Sequence, residues 1–288
     1  MKKLLFLVAA LAFATTATAQ TLATESGADE VIRYWDNSSA PHSNYDSKAE
    51  KITESSGKYK VSHTTETVFY IFKPQRATGH SLVIFPGGGY KTVNLNFGWA
   101  KWLAAQGITT MVVKYRLPNG HAEVPLEDAA AAIEYMRDNA NRLGIDPQKV
   151  GVSGSSAGGH LAAWSSVVLK GNQKPNFAVL HYPVISGHIW TNKPQWSTFE
   201  ELLGKWRTPE QIDNHSVELL VDGNTPPTLI LHCHDDLLAP TINSTLYYKA
   251  LKHHGVKASY HIYPSGGHSW KEYKKQWTEA TKEWVLSF

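Results

Sequence analysis

The stretch Gly151-Val152-Ser153-Gly154-Ser155-Ser156-Ala157-Gly158-Gly159-His160 constrains this chain of 288 residues more tightly than any other. It contains Gly154-x-Ser156-x-Gly158, the pattern of a nucleophile elbow. A serine that is to attack must stand clear of its own backbone, on a sharp turn between a strand and a helix. Such a turn forces the serine into a strained backbone conformation. The residues two before and two after it then pass so close that only glycine or another small residue fits. The flanks supply the required context: Lys149 to Ser153 reads as a short buried strand, and Ala157 to Leu169, rich in Ala and Leu, reads as a helix. The plainer alternative is a glycine-rich strand-to-helix turn with no chemistry.

The rest of the chain reads as alternating strands and helices around that elbow. Val68 to Phe72 is β-rich and stops at Lys73-Pro74, as expected of an early strand at one sheet edge. Ser81 to Phe85 and Ile108 to Tyr115 are continuous apolar runs, typical of strands buried on both faces. Asn96 to Gln106, with Trp99 and Trp102, reads as a helix closed by Gly107. Pro125 opens a helix through Arg142, with Gly144 just past its end. Further strands are expected at Phe177 to Tyr182, Thr228 to His232 and Ala258 to Tyr263, with helices at Thr241 to His254 and Trp270 to Leu286. This order predicts an α/β fold with a mostly parallel sheet and helices on both faces. Residues 183–226 break the alternation and read as a cap-like insertion over the site. Residues 21–60 are polar and read as an irregular lead-in wrapped on the domain.

The first segment reads as a targeting signal rather than fold. Lys2 and Lys3 precede an apolar run from Leu4 to Phe13, too short to span a bilayer. Ala17-Thr18-Ala19 has the form of a signal peptidase site. The expected organisation is a signal peptide at 1–19, a lead-in at 20–65 and a catalytic domain at 66–288, in an exported protein, periplasmic or secreted. Loss of the two leader lysines leaves 26 basic against 25 acidic residues, so the net charge falls from +3 to +1. A near-neutral surface argues against nucleic acid as a partner. No later apolar run is long enough to cross a membrane, so no membrane association is expected after cleavage. Cys233 is the single cysteine, which excludes an intramolecular disulfide.

A serine hydroxyl is a weak nucleophile at neutral pH. It needs a base within hydrogen-bond reach, and the base needs an orienting carboxylate. In an open α/β sheet these groups sit just past the C-terminal ends of strands. Asp235 and Asp236 follow one such strand, and His268, after Gly266-Gly267, follows the last. Of the two carboxylates, one is expected on the imidazole and its neighbour on a backbone N–H at the start of the next helix. The residues alone leave that choice open. His181 and His160 rival His268 as the base, with His160 read as a packing or supporting group. His232, His234 and Asp235 lack an apparent third well-placed ligand, so no metal and no cofactor are expected. The developing oxyanion needs preorganised donors. Gly88 and Gly89, after a buried strand, and the N–H of Ala157 are the candidates. A phosphate-cradling loop is the alternative reading of these glycines, but no Lys-Ser/Thr follows at the required spacing.

The set Pro86-Gly87-Gly88-Gly89-Tyr90, Tyr115-Arg116-Leu117-Pro118, Pro125-Leu126-Glu127-Asp128-Ala129, the elbow through Ala162, and Gly266-Gly267-His268 resembles the α/β-hydrolase superfamily. More narrowly, it is similar to the exported bacterial esterase/lipase group that includes acetyl xylan esterases and feruloyl esterase-like proteins. The resemblance covers residues 66–288. It implies an α/β-hydrolase fold, a Ser156-Asp236-His268 triad and an acylated oligosaccharide or polysaccharide as substrate. The family's His-x-x-x-Asp-x-x-x-Pro spacing falls on His232, Asp236 and Pro240, which selects Asp236. The chain departs from the commoner hormone-sensitive-lipase pattern, in which a His precedes the glycines, because Pro86 stands there. Ala239 replaces a frequent valine.

The reaction so implied is deacylation of a carbohydrate, most of all xylan deacetylation. Feruloyl or general carboxylesterase and lipase activity is the alternative. A prolyl-oligopeptidase-type peptidase lacks room for its propeller here, and a non-catalytic sugar-binding protein has no need of the triad. Tyr90, Trp190, Trp196 and Trp206 are the expected sugar contacts.

Overall fold

The computed structural model of the protein describes residues 22–189 and 193–288, with the side chains of 193–196 outside the description. Among the described residues eleven strands form one large sheet of eight and a second sheet of three. In chain order the strands are β1 (Glu30–Asp36), β2 (Lys51–Ser55), β3 (Lys58–Ser62), β4 (Glu66–Phe72), β5 (Gly79–Phe85), β6 (Val93–Leu95), β7 (Thr109–Lys114), β8 (Ile145–Ser155), β9 (Ala178–His181), β10 (Thr228–Cys233) and β11 (Ala258–Tyr263). The large sheet runs β1-β4-β7-β5-β8-β9-β10-β11, and β2-β3-β6 form a second, antiparallel sheet. In the large sheet β7, β5, β8, β9, β10 and β11 are mutually parallel, and β4 alone runs against them, antiparallel to both its neighbours β1 and β7.

The helices are α1 (Gly98–Ala105), α2 (Glu123–Asp138), α3 (Ala140–Leu143), α4 (Ala157–Val168), α5 (Lys193–Leu203), α6 (Pro209–Asp213), α7 (Ile242–His253) and α8 (Lys274–Leu286). Two apolar layers, one on each face of the sheet, hold the fold. One includes Val83, Val112, Val152, Leu161 and Ile133; the other includes Leu82, Val179, Leu231, Trp277 and Val285. Successive residues of β5 and β10 enter opposite layers, as burial on both faces of a parallel sheet requires. Among the described residues no helix is long and apolar enough to cross a membrane.

The chain passes from β5 to β7 on one side, then returns to place β8 on the other side of β5. That reversal opens a crevice at the C-terminal ends of β5 and β8, where ligands bind in open α/β sheets. Gly88 follows β5 there and Ser156 follows β8.

The segment at 21–60 is not the irregular lead-in expected. β1 pairs antiparallel with β4 and takes the edge position, so β4 lies one strand inward. β2 and β3 form a hairpin whose turn, Ser56-Gly57, has positive φ at both residues (52° and 71°). A buried ion pair ties this region to the sheet. The Arg116 guanidinium donates to Asp128 Oδ1 at 2.7 Å and to the His42 carbonyl at 2.6 Å, while Trp35 Nε1 donates to Asp128 Oδ1 at 2.6 Å. Arg116 and Asp128 are both fully buried, so losing either strands a charge, at a cost of about 3–5 kcal/mol.

Helix boundaries differ from expectation in two informative places. α2 stops at Asp138, and α3 then ends at Gly144 in the left-handed conformation. The closing helix α8 starts at Lys274, which leaves Trp270 on the loop beside His268.

Candidate active site

Ser156 sits at the N-terminus of α4 with φ 56° and ψ −123°, a strained backbone for a residue with a Cβ. Such a conformation costs roughly 1–3 kcal/mol and persists only when its surroundings fix it. The surroundings here are specific. A Cβ on Gly154 would lie 2.0 Å from the Gly158 carbonyl oxygen, and one on Gly158 would lie 2.0 Å from the Phe85 carbonyl oxygen. Neither position tolerates a side chain. Backbone bonds complete the turn: Ser156 N–H donates to the His181 carbonyl at 3.1 Å, and His160 N–H donates to the Ser156 carbonyl at 3.0 Å.

Ser156 opens into a cleft of ≈ 660 Å³ shared with Gly87, Gly88, Gly89, Tyr182 and His268. Gly88 (φ 142°) and Gly89 (φ 63°) carry the chain through a turn closed by Thr92 N–H on the Gly88 carbonyl at 3.1 Å. A Cβ on Gly88 would meet the Thr92 carbonyl oxygen at 2.0 Å, so this turn also requires glycine. Among the described residues neither glycine's N–H has an acceptor. Ala157 is the first residue of α4, where a helix leaves its N–H groups without internal partners. Donors of this kind, with the positive helix end behind them, suit an oxygen that gains charge.

His268 Nδ1 lies 2.7 Å from Asp236 Oδ2. Asp236 has no exposed side-chain surface, and all its partners are donors. Its Oδ1 accepts from the N–H groups of Leu238 and Ala239, at 2.9 and 3.0 Å. Its Oδ2 also accepts from His232 Nε2 at 3.1 Å. Burial alone would raise the pKa of this carboxyl, but the bonds from His232 and His268, the His268 charge and the Ala239 N–H outweigh it and hold it well below the usual range. Asp236 is therefore a carboxylate at any physiological pH, and His268 donates to it through Nδ1–H. The Nε2 of a neutral His268 is then a proton acceptor.

Asp235 does something different from what was expected of it. It does not cap the next helix; its Oδ1 accepts from the Gly267 N–H at 2.8 Å and so anchors the loop that carries His268. His232 is fully buried, with Nδ1 2.7 Å from Ser244 Oγ and Nε2 2.8 Å from the Ala239 carbonyl. Its Nε2–H faces two acceptors, so Ser244 donates to Nδ1. His232 thus braces the carboxylate from behind. Among the described residues no three His, Cys, Asp or Glu side chains converge as metal ligands would.

The two rival histidines are both buried and both pushed down to about 4 by that burial. His160 Nε2 donates to the His215 carbonyl at 2.9 Å, and its Nδ1 accepts from the Tyr90 hydroxyl at 2.8 Å. Tyr90 is accordingly not a sugar contact: it is 1 % exposed and locked under the glycine turn. Trp206 is 87 % exposed, lies outside the cleft wall and pairs with Lys205 at 5.2 Å. Trp190 lies outside the described residues, as does the side chain of Trp196. The leader at 1–19 lies outside them too.

The aromatic wall of the cleft comes from elsewhere. Trp99, on α1, stacks on Trp102 at 5.3 Å and meets Trp270 at 5.4 Å and His181 at 5.7 Å. Tyr182 packs its ring 4.5 Å from His268. Trp99 and Trp102 are three apart at the first helix after the glycine turn, a signal that was visible in the sequence. Trp270 was hidden by the expected start of the last helix.

Residues 82–272 match the profile of a family described as having the α/β hydrolase fold. An acetylxylan esterase of Xylanibacter ruminicola is 36 % identical over 228 residues, 75 % of this chain and 47 % of its own length. An endo-1,4-β-xylanase of Butyrivibrio fibrisolvens is 29 % identical over 204 residues, 65 % of this chain and 32 % of its own length. The chain thus spans about half, or less, of these curated relatives. An acetyl ester-xyloside bifunctional hydrolase of Caldicellulosiruptor lactoaceticus superposes with a TM-score of 0.70 at 30 % identity, covering 90 % of this chain and 96 % of that one. With the strand order, the elbow and the family profile in agreement, this chain belongs to the α/β-hydrolase family.

Proposed function

We propose that this protein is a serine carboxylic-ester hydrolase that removes acetyl groups from xylan-type oligosaccharides or polysaccharides. The observation that carries the reading is the Asp236–His268 bond at 2.7 Å, with the carboxylate buried among donors and the imidazole lining the cleft in which Ser156 stands. In this reading His268 Nε2 takes the Ser156 hydroxyl proton as Oγ bonds to the ester carbonyl carbon. The N–H groups of Gly88, Gly89 and Ala157 receive the oxyanion. The C–O bond to the sugar then breaks, and His268 returns the proton to the leaving sugar oxygen. Water, giving a proton to the same imidazole, attacks the acetyl carbon; the C–Oγ bond then breaks, the imidazole returns its proton to Ser156 Oγ, and acetate leaves.

The relatives' names favour acetyl and xylan, and the Trp99–Trp270 wall suits stacking on a sugar ring. The signal-like segment favours action outside the cytoplasm, in the periplasm or beyond the cell, on a polymer that cannot enter. The test is acetate release from acetylated xylo-oligosaccharides, beside methyl ferulate and a long-chain nitrophenyl ester, with Ser156→Ala as control. Rapid acetate release with little turnover of the other two is expected. Turnover of ferulate or long acyl chains alone would retain the serine chemistry and overturn the acetyl assignment.

A further inference from the structure

The small sheet adds something to the cleft that the hydrolase chemistry does not need. Its β3 and β6 bring Lys58 and Asn94 into the cleft wall, and Lys271, next to Trp270, enters from the other loop. The pairing register fixes which side chains share a face. Lys58 lies opposite Ser55, Lys60 opposite both Thr53 and Asn94, and Lys51 opposite Ser62. Directly paired residues of antiparallel strands point to the same side. One face of the sheet therefore carries Lys51, Lys58 and Lys60 among Ser, Thr and Asn, while Tyr59, Val61, Val93 and Leu95 are buried on the other. The three lysines are exposed, and that face holds no acidic residue.

The nearby carboxylates are occupied elsewhere. Glu54 lies opposite Tyr59, on the buried side, and accepts from Gly57 N–H at 2.7 Å. Glu50 accepts from Lys114 at 2.6 Å, and Glu25 from the Tyr59 hydroxyl at 2.8 Å. Glu272, beside Lys271, accepts from Ser265 Oγ at 2.8 Å. Among the described residues Lys51, Lys58, Lys60 and Lys271 make no ion pair, and no Asp or Glu lines the cleft. In a chain with a net charge of only +3, this puts unpaired cations of one sign on a surface continuous with the site. Such a surface raises the local concentration of anionic substrate.

We propose that this lysine face and Lys271 form a subsite for carboxylates on the substrate, so that the enzyme prefers acylated oligosaccharides bearing uronic acid residues over neutral ones. The proposal rests on the carbohydrate-ester reading above. Trp99 and Trp270 take the sugar ring near the scissile ester. The uronate of the same chain reaches Lys58 or Lys271, and a longer chain continues over Lys60 and Lys51. Successive same-face residues of a strand are roughly 7 Å apart, so the cations form a track rather than a point.

The test compares kcat/KM on acetylated xylo-oligosaccharides with and without a glucuronic acid branch, for the wild type and for Lys58→Gln/Lys60→Gln/Lys271→Gln. A preference of about five- to tenfold for the acidic substrate is expected at low salt, arising in KM. It shrinks as ionic strength rises from about 0.01 M to about 0.15 M, where the Debye length falls from about 30 Å to about 8 Å. In the triple variant the acidic-to-neutral ratio falls toward one.

Equal turnover of both substrates, or a preference that survives the triple substitution, overturns the subsite and leaves the esterase reading intact. If neither carbohydrate ester is turned over while nitrophenyl acetate is, the carbohydrate reading has failed. Calorimetry of Ser156→Ala with the deacetylated glucuronate-branched oligosaccharide then reads the subsite directly: lysine-dependent binding supports it and none overturns it. Lysine-dependent sedimentation with anionic phospholipid vesicles, without any oligosaccharide preference, would assign the face to a membrane and overturn the proposal.

Discussion

The floor of the cleft and its walls are built on different principles. On the floor, polar atoms are buried and held from several directions: Asp236 takes four donors, and Ser156 is pinned between Gly154, Gly158 and the His181 carbonyl. On the walls, Trp99, Trp270, Lys58 and Lys271 are half-buried or exposed. Some come from a sheet and loops outside the parallel strands. The floor has room for one chemistry and one geometry. The walls are free to change, which is how one scaffold serves many substrates. A substitution on the floor should therefore act on kcat, and one on the walls on KM.

The largest effect separates two neighbours within the floor. Asp236→Asn should lower kcat by about 10⁴-fold, the loss typical when a triad carboxylate is replaced and the imidazole tautomer is wrong. Asp235→Asn keeps an oxygen to accept from Gly267 and should cost less than about tenfold, by the same comparison with a full triad loss. Steady-state kinetics on one ester measures both. The reverse ranking would move the acid of the triad to Asp235.

Next comes a wall residue. Trp270→Ala removes a ring that meets Trp99 at 5.4 Å, and should raise KM for xylo-oligosaccharide esters by about two- to tenfold. A fall in kcat of the same size with KM unchanged would place Trp270 on the floor instead.

The smallest effect is on stability. His160 and His181 are buried with pKa values of about 4, below the ordinary 6.5. Between pH 6.5 and 4 the unfolded chain binds protons that the folded one refuses, so stability is lost as pH falls through that window. His160→Gln can still donate to the His215 carbonyl and accept from Tyr90, and it does not titrate. It should lower Tm at pH 7 by a few degrees yet flatten the decline between pH 6.5 and 4. An unchanged slope would show that His160 protonation does not govern acid stability.

The same division explains what could be read from the sequence. The parallel strands were legible because burial on both faces demands unbroken apolar runs, as in Ser81 to Phe85. Glycines were legible where a close approach requires them, as at Gly154 and Gly158. The carboxylate needed more: the residues alone leave Asp235 and Asp236 equal, and only the resemblance to the family's spacing, falling on His232, Asp236 and Pro240, favours Asp236.

β1 is not legible because an edge strand buries little, and Glu30–Asp36 carries only two half-buried apolar residues, Ile32 and Trp35, in a charged context. The hairpin was missed although its signal was present: Tyr59 and Val61 alternate with lysines, and Ser56-Gly57 has the chemistry of a tight turn. In the sequence the tryptophans of the 183–226 segment stand out because no regular element there accounts for them, whereas Trp99 and Trp270 fall in stretches that read as helices, where apolar residues need no further explanation.

The most direct measurement is to treat the folded protein with a fluorophosphonate and map the adduct by mass spectrometry. A single adduct on Ser156 is expected, and it should be lost in His268→Ala, since the hydroxyl then has no base. No adduct on the folded protein, or one on another serine, would contradict the assignment of Ser156 as the nucleophile.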